Sequence, residues 1–404
     1  MKILHLAWEY PPYKVGGLAT HVEELAHAQA KMGYEPIVIT CAFEGKEGYE
    51  NVDGVHVFRF NADNIPAEDF PSWALQMNLL MQNEASQVIS EFKDISLFHT
   101  HDWLSATSAI ALKHIYRLPL ISTVHSLEVG RRGGIYDDRQ KMINDIEGRM
   151  VYESWKVLTC SEFMKRSVSS QFSVPWDKID VVPNGVNAAK FKTPENLLAE
   201  KNRFALPHEK IVFFVGRHVW EKGVDVLVGA IPYVLKECPD AKFVISGKGY
   251  MTDKCKKLAW DFGVADKTLF TEYVDDNTLN LLYHLSDVVV CPSRYEPFGI
   301  VPLEAMASNA PVVISDTGGL NEIIEHEKDG LKVMTNNSES LAWGITRVLK
   351  DPGLAQFMKK NAAEKVRSIY DWEKIAARTC NIYNQVISDY QKNSWKPRGP
   401  QAKV

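Results

Sequence analysis

The stretch DVVVCPSRYEPFGIVPLEAMASNAPVVISDTGG, residues 287–319, carries the clearest signal of the fold of this 404-residue chain. The apolar run DVVVC leads through a loop with proline and glycine into a helical pattern near Pro302, and the apolar run PVVIS follows. Proline suits the first turn of a helix, where its missing N–H would be unpaired anyway. Strand, helix and strand in this order predict a right-handed crossover between parallel strands.

The same alternation extends through both halves of the chain. Strand-like runs are ILHLA, PIVIT, VHVFRF, SLFHT, LISTV, KVLTC and IDVVP in the first half, and IVFFVG, KFVIS, TLFTE, DVVVC, PVVIS and GLKVM in the second. Most of these runs are apolar at consecutive positions, which is typical of strands covered on both faces. The sequence therefore predicts an α/β fold with two Rossmann-like, doubly wound domains.

We place the domain boundary within residues 181–210, where a Pro-Asn-Gly turn precedes a polar segment. The predicted domains are 1–186 and 187–371, and residues 372–404 form a last helix with a loose polar tail. Open α/β sheets bind ligands beyond the carboxyl ends of their strands. We therefore expect two facing domains with the site in a cleft between them.

Composition disfavours several classes of function. A net charge of −5 argues against general nucleic-acid binding, which needs a basic face. The six cysteines include no C-x-x-C pair and no histidine at zinc-ligand spacing, which indicates free, mostly buried thiols. Without a long apolar run or a secretion leader, we expect a cytoplasmic protein that does not span a membrane. Peripheral membrane contact and the oligomeric state stay open.

Each half has paired glycines between a strand and a helix, in YPPYKVGGLATHV (10–22) and SDTGGLNEIIEH (315–326). Glycine permits positive φ and close backbone approach, and the free N–H groups of a helix start can hold an anion. Lys14 favours a phosphate at the first loop, and an ordinary helix-start turn is the alternative for either loop. The candidate phosphate-binding residues are Lys14, Gly16, Gly17, Thr317, Gly318 and Gly319.

Two cations follow a strand of the second half. In FFVGRHVWEKGVDVL (213–227), Arg217 stands just past the strand and Lys222 at the mouth of the next helix. A planar guanidinium and a compact ammonium suit a diphosphate, and a solvated basic turn is the alternative. The sequence has no G-x-x-x-x-G-K-[ST] loop, and GKGYMT (247–252) lacks the third glycine of G-x-G-x-x-G. A P-loop NTPase or an NAD enzyme is therefore disfavoured.

Two carboxylates, Glu296 and Glu304, stand eight residues apart in an otherwise apolar and small stretch. We expect Gly299 and Ile300 at the helix entrance with their amides available, and Glu304 in the first helical turn. There Glu304 can bind a ribose diol or merely complement the helix dipole. Glu296 lies in a turn outside the helix, where no comparable structural role is evident.

These segments resemble the retaining glycosyltransferases of family 4. EPFGIVPLEAM resembles their E-x7-E motif, and WEYPPYKVGGLATHV, VVPNGV and GRHVWEKGVDVL stand in the order of these enzymes. HTHDWLSA and STVHSLEVGRRGG are similar to the glycogen synthase-like group, although the first loop reads Lys-Val-Gly-Gly instead of Lys-Thr-Gly-Gly and the chain is short for that group. The resemblance implies the GT-B fold, with the last helix crossing back to the N-terminal domain.

The resemblance also implies roles for individual residues. Glu304 would bind the ribose, and Arg217 and Lys222 the leaving diphosphate. Glu296 would hold hydroxyls of the donor sugar, and His125 would contact the transferred sugar near its reacting carbon. The implied donor site also includes Lys14, Gly16, Gly17, Gly299, Ile300, Thr317, Gly318 and Gly319, and the implied sugar or acceptor pocket comprises Asp102, His125, Glu296 and Phe298.

Several other polar residues are interpreted more plainly. Asp102 can equally be the cap of the next helix. The histidines that lie in or near strands and helices are interpreted as structural residues; they are His5, His21, His27, His56, His99 and His114.

The implied reaction moves a hexose, glucose from UDP-glucose or ADP-glucose, to an α-glucan with retention of configuration. No two aspartates stand two positions apart, as in metal-dependent glycosyltransferases, so we expect positive groups to stabilise the leaving diphosphate without a metal or cofactor. We prefer front-face attack, because no carboxylate nucleophile stands out. The acceptor could instead be a lipid, a sugar phosphate or a small osmolyte. The chain could also epimerise a nucleotide sugar, or bind one without turnover.

Overall fold

The computed structural model describes residues 1–63, 65–195 and 197–395. The chain divides into two compact units, Gly185–Asp371 and a unit made of Met1–Asn184 with the segment that begins at Trp372. The division after Asn184 falls inside the Pro-Asn-Gly turn, two residues before the predicted boundary. Most of the predicted loose tail, from residue 396 onward, lies outside the described residues.

The first unit is a mainly parallel sheet covered by helices. Its strands are β1 (Lys2–Leu6), β2 (Glu35–Ala42), β3 (Gly48–Val52), β4 (Val55–Asn61), β5 (Ile95–His101), β6 (Leu120–Val124), β7 (Lys156–Thr159) and β8 (Ile179–Val181). Its first helices are α1 (Gly17–Lys31), α2 (Phe70–Phe92), α3 (Ala106–Tyr116), α4 (Glu128–Arg132), α5 (Asp138–Glu153) and α6 (Glu162–Phe172). Within the described residues the strand order is β3-β4-β2-β1-β5-β6-β7-β8.

The core of this unit lies on both faces of the sheet. Adjacent side chains of a strand point to opposite faces, so Leu4 and Ile3 of β1 enter different hydrophobic clusters. Both residues are fully buried. This two-sided burial explains the consecutive apolar residues from which a parallel sheet was predicted.

The second unit is a parallel sheet of the same kind. Its strands are β9 (Lys210–Val215), β10 (Ala241–Ser246), β11 (Thr268–Glu272), β12 (Val288–Cys291), β13 (Val312–Ser315) and β14 (Leu331–Val333). Its helices are α7 (Leu197–Glu200), α8 (Val224–Glu237), α9 (Thr252–Asp261), α10 (Asp276–Leu285), α11 (Ile300–Ala307), α12 (Leu320–Ile323), α13 (Ser338–Lys350) and α14 (Pro352–Ile369). Among the described residues the strands follow the order β11-β10-β9-β12-β13-β14.

The last helix, α15 (Trp372–Lys392), belongs to the first unit. Its buried residues Trp372, Ile375, Tyr383 and Val386 recur at helical spacing and join the cluster that holds Ile3 of β1. An amphipathic stripe of this kind is stabilised mainly by the core that it covers. The expected return of the last helix to the N-terminal domain is therefore confirmed.

All thirteen predicted strand runs coincide with strands, and within the residues that the structure describes the prediction missed one strand, β3. Every residue of β3 is exposed, so the run GYENV carries no hydrophobic signal. It pairs antiparallel with β4 through the two-residue turn Asp53–Gly54, where φ is +50° and +86°. Positive φ at both turn positions matches the right-handed twist of a tight hairpin.

Two expectations from composition can be compared with the structure. The six cysteines are buried free thiols, as predicted. In the part of the chain that the structure describes, helices with the length and apolar character needed to cross a bilayer are absent.

Candidate active site

In each sheet the strand order reverses at one point. In the first sheet this point lies between β1 and β5, and in the second between β9 and β12. Loops that leave such neighbouring strands diverge and open a crevice at the carboxyl ends. Lys222 follows β9 and Glu296 follows β12, and Asp102 follows β5. These three sequence-predicted residues therefore lie beside a reversal point of their own sheet, where doubly wound sheets generally bind ligands.

Lys222 and Glu296 form an ion pair at the reversal point of the second sheet. The Lys222 ammonium donates to both carboxylate oxygens, at 2.9 Å to Oε1 and 2.7 Å to Oε2. The Ser293 hydroxyl donates to Oε2 at 3.0 Å. The two side chains are 24% and 15% exposed, so the pair is partly shielded yet reachable. An ammonium beside a carboxylate can bind an anionic group and a hydroxyl at neighbouring positions.

A glycine brings the two loops of this site together. Gly223, which follows Lys222, has φ +67°, and a Cβ built there would lie 2.0 Å from the carbonyl oxygen of Pro292. Only glycine permits this approach of one backbone to another. The loop after β9 therefore packs directly on the loop after β12, and this contact places Lys222 beside Glu296.

Arg294 joins the same two loops through its side chain. Its guanidinium donates to both carboxylate oxygens of Asp225 at 2.9 Å and also to the carbonyl oxygen of Trp220. Its backbone N–H donates to the carbonyl oxygen of Glu221 at 2.8 Å. Bidentate pairs of this type fix geometry as well as adding energy. Sequence reasoning missed Arg294 and Asp225, because residues 69 positions apart give no local signal of pairing.

Arg217 lies near these loops but does not join the Lys222–Glu296 pair. Its side chain is 53% exposed and donates to Glu221 Oε1 at 3.2 Å. An exposed arginine has a long, flexible stem, so it can turn toward a ligand at low cost. Four charged residues were predicted to act in the second domain, and the structure pairs two of them, Lys222 and Glu296.

Glu304 is anchored by a buried phenol. Helix α11 begins at Ile300 with Gly299 preceding it, as expected, and Pro302 lies in its first turn. Glu304 is the fifth helical residue, so its predicted place in the first turn is wrong. The Tyr283 hydroxyl donates to Glu304 Oε2 at 2.7 Å. Because Glu304 lies beyond the first turn and accepts this bond, we do not assign it the role of merely complementing the helix dipole.

Tyr283 was not predicted as a site residue. Its side chain is fully buried, and burial together with the Glu304 carboxylate holds the pKa of Tyr283 well above its ordinary value. Tyr283 therefore stays a protonated donor at any physiological pH. In the sequence it occupies an apolar position of the helix pattern LNLLYHL, which indicates core packing and not a carboxylate partner.

The second glycine pair holds the Glu296 loop. The N–H of Gly319 donates to the carbonyl oxygen of Glu296 at 2.8 Å, so the expectation of a free amide there is wrong. A Cβ on Gly318, where φ is +53°, would lie 2.3 Å from that oxygen, and a Cβ on Gly319 2.2 Å from the carbonyl oxygen of Pro297. The Thr317 hydroxyl donates to the carbonyl oxygen of Arg294. These residues position the site by close backbone contact.

Phe298 belongs to the interior of the second unit. It is 4% exposed, and its ring packs edge to face on Tyr370 with the centroids 6.1 Å apart. We therefore assign its side chain to packing beneath the loop and not to the lining of a sugar pocket.

In the first unit Asp102 holds the loop that carries His125. Asp102 Oδ1 accepts the backbone N–H of His125 at 2.7 Å, and the carboxylate also accepts the N–H of Ser126. Its side chain makes no capping bond to the turn Trp103–Ser105, so the alternative interpretation as a helix cap is wrong. Burial raises the pKa of Asp102 to about 6.

The first glycine loop is occupied by an internal carboxylate that sequence reasoning missed. Glu9 accepts the backbone N–H groups of Val15, of Gly16 at 3.1 Å and of Ala19 at 3.3 Å. Glu9 is 2% exposed, and burial raises its pKa to about 7. The N–H of Gly16 is therefore not free for a phosphate, and its φ of −157° is extended. Among the residues proposed for that loop, Gly16 and Gly17 serve to start α1.

His125 is surrounded by other imidazoles. Its Nε2 lies 3.4 Å from Nδ1 of His101, and its ring centroid is 4.5 Å from that of His21. Burial lowers the pKa of His125 to about 3, and it also keeps the pKa of His21 and of His101 well below the ordinary value. All three rings are therefore neutral at pH 7. The prediction did not single out His101, which ends a strand like any structural residue.

Two family models match the chain. "Glycosyltransferase Family 4" matches residues 15–190, and "Glycosyl transferases group 1" matches residues 199–365. The two matches follow the two structural units and together cover most of the chain.

Similar proteins match over nearly the full length. A glycosyltransferase of Methanocaldococcus jannaschii is 41% identical over 95% of this chain and 98% of its own length. The glycogen synthase of Mycobacterium tuberculosis is 32% identical over 95% of this chain and 94% of its own. The structure of a sucrose-phosphate synthase from Thermosynechococcus elongatus superposes with a TM-score of 0.84 at 25% identity, covering 96% of this chain and 99% of that one. On this sequence and structural similarity, the chain belongs to the family 4 glycosyltransferases and has their GT-B fold.

Proposed function

We propose that this glycosyltransferase moves a hexose, glucose from UDP-glucose or ADP-glucose, onto an α-glucan with retention at the anomeric carbon. The observation that carries the proposal is the Lys222–Glu296 pair at the reversal point of the second sheet. The full-length similarity to a glycogen synthase supports an α-glucan acceptor.

The second unit supplies the groups that a nucleotide-sugar donor needs. Breaking the bond between the anomeric carbon and the diphosphate leaves negative charge on the phosphate oxygens. We assign Lys222 and Arg217 to that charge, because preorganised cations stabilise it most where it develops. We assign Glu304, fixed by Tyr283, to the ribose diol, and Glu296 to hydroxyls of the donor sugar.

We propose a front-face transfer. The acceptor oxygen forms its bond to the anomeric carbon on the face from which the diphosphate departs, and the acceptor proton passes to the departing phosphate oxygen. His125 contacts the transferred sugar as a neutral imidazole, since its pKa is lowered to about 3. It therefore acts through hydrogen bonds and not as a cation.

We propose that the reaction needs no metal ion or cofactor. The chain has no Asp-x-Asp pair to hold a divalent cation at the diphosphate, and Lys222 and Arg217 carry positive charge to the same end. Initial rates in excess chelator should match rates in added Mg²⁺. A rate that falls to background in chelator would refute metal independence while leaving the transferase assignment intact.

A donor and acceptor screen tests the function. Nucleotide release is measured with UDP-, ADP- and GDP-linked glucose and mannose, each with glycogen, with a pool of sugar phosphates and with no acceptor. We expect release that requires glycogen and either UDP-glucose or ADP-glucose, with α-linked glucose in the product. Turnover with none of these pairs, while a nucleotide binds tightly, would instead favour a binding protein.

A sugar-phosphate acceptor is the second candidate. It is favoured by the structural similarity to a sucrose-phosphate synthase. The same screen separates the two candidates, because release would then depend on the sugar phosphates and not on glycogen.

A further inference from the structure

A row of hydrogen bonds fixes the protons of the histidines behind His125. The Gln29 amide Nε2 donates to the Tyr383 hydroxyl at 3.2 Å, and its Oε1 accepts from His5 Nε2 at 2.9 Å. His5 is fully buried, and because its Nε2 carries the ring proton that Gln29 accepts, the lone pair of the ring is on Nδ1. That nitrogen accepts from His101 Nε2 at 3.2 Å. The Nδ1 of His101 is consequently bare and faces His125 Nε2.

His21 presents a second bare nitrogen to the same place. Its Nδ1 donates to Asn184 Oδ1 at 2.7 Å, which leaves the lone pair of the neutral ring on Nε2. His21 is 4% exposed, and among the described residues Nε2 has no hydrogen-bond partner. A buried and unsatisfied polar atom is costly unless something binds it.

We propose that His21, His101 and His125 form a binding site for a divalent transition-metal ion of the Zn²⁺ or Cu²⁺ type. One nitrogen of each ring lies within 4.8 Å of the other two. Two nitrogens at 2.0–2.1 Å from a tetrahedral Zn²⁺ stand about 3.3–3.4 Å apart. His101 Nδ1 and His125 Nε2 are already 3.4 Å apart.

Few changes are needed to admit the ion. His21 and His101 offer lone pairs as they stand, and His125 offers Nε2 when its one ring proton moves to Nδ1. The ion would lie to the side of the line between His101 Nδ1 and His125 Nε2, toward His21. Both rings therefore turn toward His21 when the ion binds. Asn184 orients His21 from behind, in the manner of outer partners that hold metal-binding histidines. Neutral imidazoles suit Zn²⁺, Cu²⁺ and Ni²⁺, whereas Mg²⁺ and Ca²⁺ prefer oxygen.

The neighbouring trio His5, His99 and His101 does not fit the same role. His99 uses both ring nitrogens, with the Tyr383 hydroxyl at 2.6 Å and with Thr123 Oγ1 at 2.7 Å. Binding an ion there would break these bonds in a fully buried place. His125, in contrast, is partly exposed and gives the proposed site an approach from solvent.

The site has a consequence that rests on the proposed function. An ion on His125 Nε2 withdraws that nitrogen from the sugar. The metal is therefore an inhibitor that competes with the donor sugar, and it is not a cofactor of the transfer.

The experiment uses the full-length, untagged protein after chelator treatment and gel filtration. Zn²⁺ binding is measured by calorimetry at pH 7.5, and Co²⁺ binding by its visible absorption. We expect one equivalent of tightly bound ion and a tetrahedral Co²⁺ spectrum. His21→Gln should abolish both, and Asn184→Ala should weaken binding about 10–100-fold. His27→Gln, a partly exposed histidine six residues along the same helix, is the matched control and should bind as the wild type does.

Circular dichroism and thermal melting establish that each variant is folded. The site is refuted if the wild type binds no ion, or if folded His21→Gln or Asn184→Ala binds Zn²⁺ as tightly as the wild type. Added Zn²⁺ should also raise the KM for the donor without lowering kcat at saturating donor. Binding at the three histidines with an unchanged KM would overturn the proposed inhibition but not the metal site. Neither the binding measurement nor the KM comparison depends on which acceptor the enzyme uses.

Discussion

The ammonium of Lys222 donates to both carboxylate oxygens of Glu296, although 74 positions separate the two residues. In the proposed reaction this carboxylate holds hydroxyls of the donor sugar. We expect Glu296→Gln to lower kcat/KM about 100-fold, because an amide neither pairs with the ammonium nor accepts two hydroxyl protons as a charged group does. Initial rates of nucleotide release measure the effect.

A matched control exists in the same unit. Glu209 is 6% exposed and its Oε1 lies 2.7 Å from the ammonium of Lys267, a pair with burial similar to the first. Glu209→Gln should leave kcat/KM within about two-fold. Equal losses in both variants would mean that Glu296 has only a structural role.

Arg217 is predicted to bind the leaving diphosphate even though its present partner is Glu221. Arg217→Ala should weaken binding of the nucleoside diphosphate product about 10-fold or more, since a hydrogen-bonded charge pair contributes about 1.5–3 kcal/mol. Calorimetry with the product of the donor screen measures it. Arg203→Ala removes an arginine of matching exposure, 54%, that pairs with Glu200, and it should bind the product normally. Unaltered binding by Arg217→Ala would remove that residue from the site.

Tyr283 is predicted to be a positioning residue that acts through Glu304. Tyr283→Phe removes one hydrogen bond to a carboxylate and leaves a buried ring of the same shape. We expect the KM for the donor to rise about 10-fold with kcat reduced less than about three-fold. Tyr233→Phe, at an exposed phenol on α8, serves as the control. A loss confined to thermal stability, with KM unchanged, would show that Tyr283 only packs.

Gly319 is predicted to be irreplaceable for steric reasons alone. Its φ is −69°, which any residue adopts, yet a Cβ would lie 2.2 Å from the carbonyl oxygen of Pro297. Gly319→Ala should lower the free energy of unfolding by about 1–3 kcal/mol and displace the Glu296 loop. Gly263→Ala tests the opposite case, with φ +67° and open space around the Cβ, and should cost about 1 kcal/mol. Urea unfolding compares the two, and a harmless Gly319→Ala would contradict the close contact.

The buried histidines predict acid sensitivity. Burial lowers the pKa of six rings; these are His5, His21, His99, His101, His125 and His218. Below pH 6.5 these histidines are protonated in the unfolded chain but stay neutral in the folded chain. The free energy of unfolding therefore falls as the pH falls toward the lowered pKa values of the folded state. Each ring contributes up to about 1.4 kcal/mol per pH unit.

Three buried carboxyls act in the opposite direction. Burial raises the pKa of Glu9 to about 7, of Asp102 to about 6 and of Glu147 to about 8, so their contributions grow as the pH falls. The histidines outnumber these carboxyls, and we expect the free energy of unfolding to fall as the pH falls from 6 to 5. Urea titrations at a series of pH values should show that the free energy of unfolding changes less steeply with pH in His21→Gln than in the wild type. A slope of zero or of opposite sign would contradict the neutral cluster.

The fold was predictable because its signal is local. Central strands such as β1 and β12 are buried on both faces. Their residues are therefore apolar at consecutive positions, and this pattern is visible in the sequence. The strand β3 was missed because every residue in it is exposed, and only the Asp53–Gly54 turn marks its hairpin. The hydrophobic pattern therefore identifies buried strands and misses an exposed strand at the edge of a sheet.

The kinds of residue in the candidate site could be predicted from the sequence, but their hydrogen-bond partners could not. The charge at Glu296 stands out because the stretch that follows it is apolar, and Lys222 stands out because it follows a strand and directly precedes a glycine. The occupation of the Gly16 loop by Glu9 depends on the backbone folding back over six or seven residues. Likewise, the role of Gly319 as a donor to Glu296 depends on two loops that meet only in three dimensions. The partners of a backbone N–H group cannot be read from the spacing of side chains.

The assignment of the donor site is tested most decisively by a crystal structure of the complex with the nucleoside diphosphate that the donor screen identifies. We predict the phosphates within hydrogen-bond distance of Lys222 and Arg217, with the ribose hydroxyls on the Glu304 carboxylate. A nucleotide bound away from these three residues would contradict the placement of the donor at the reversal point of the second sheet.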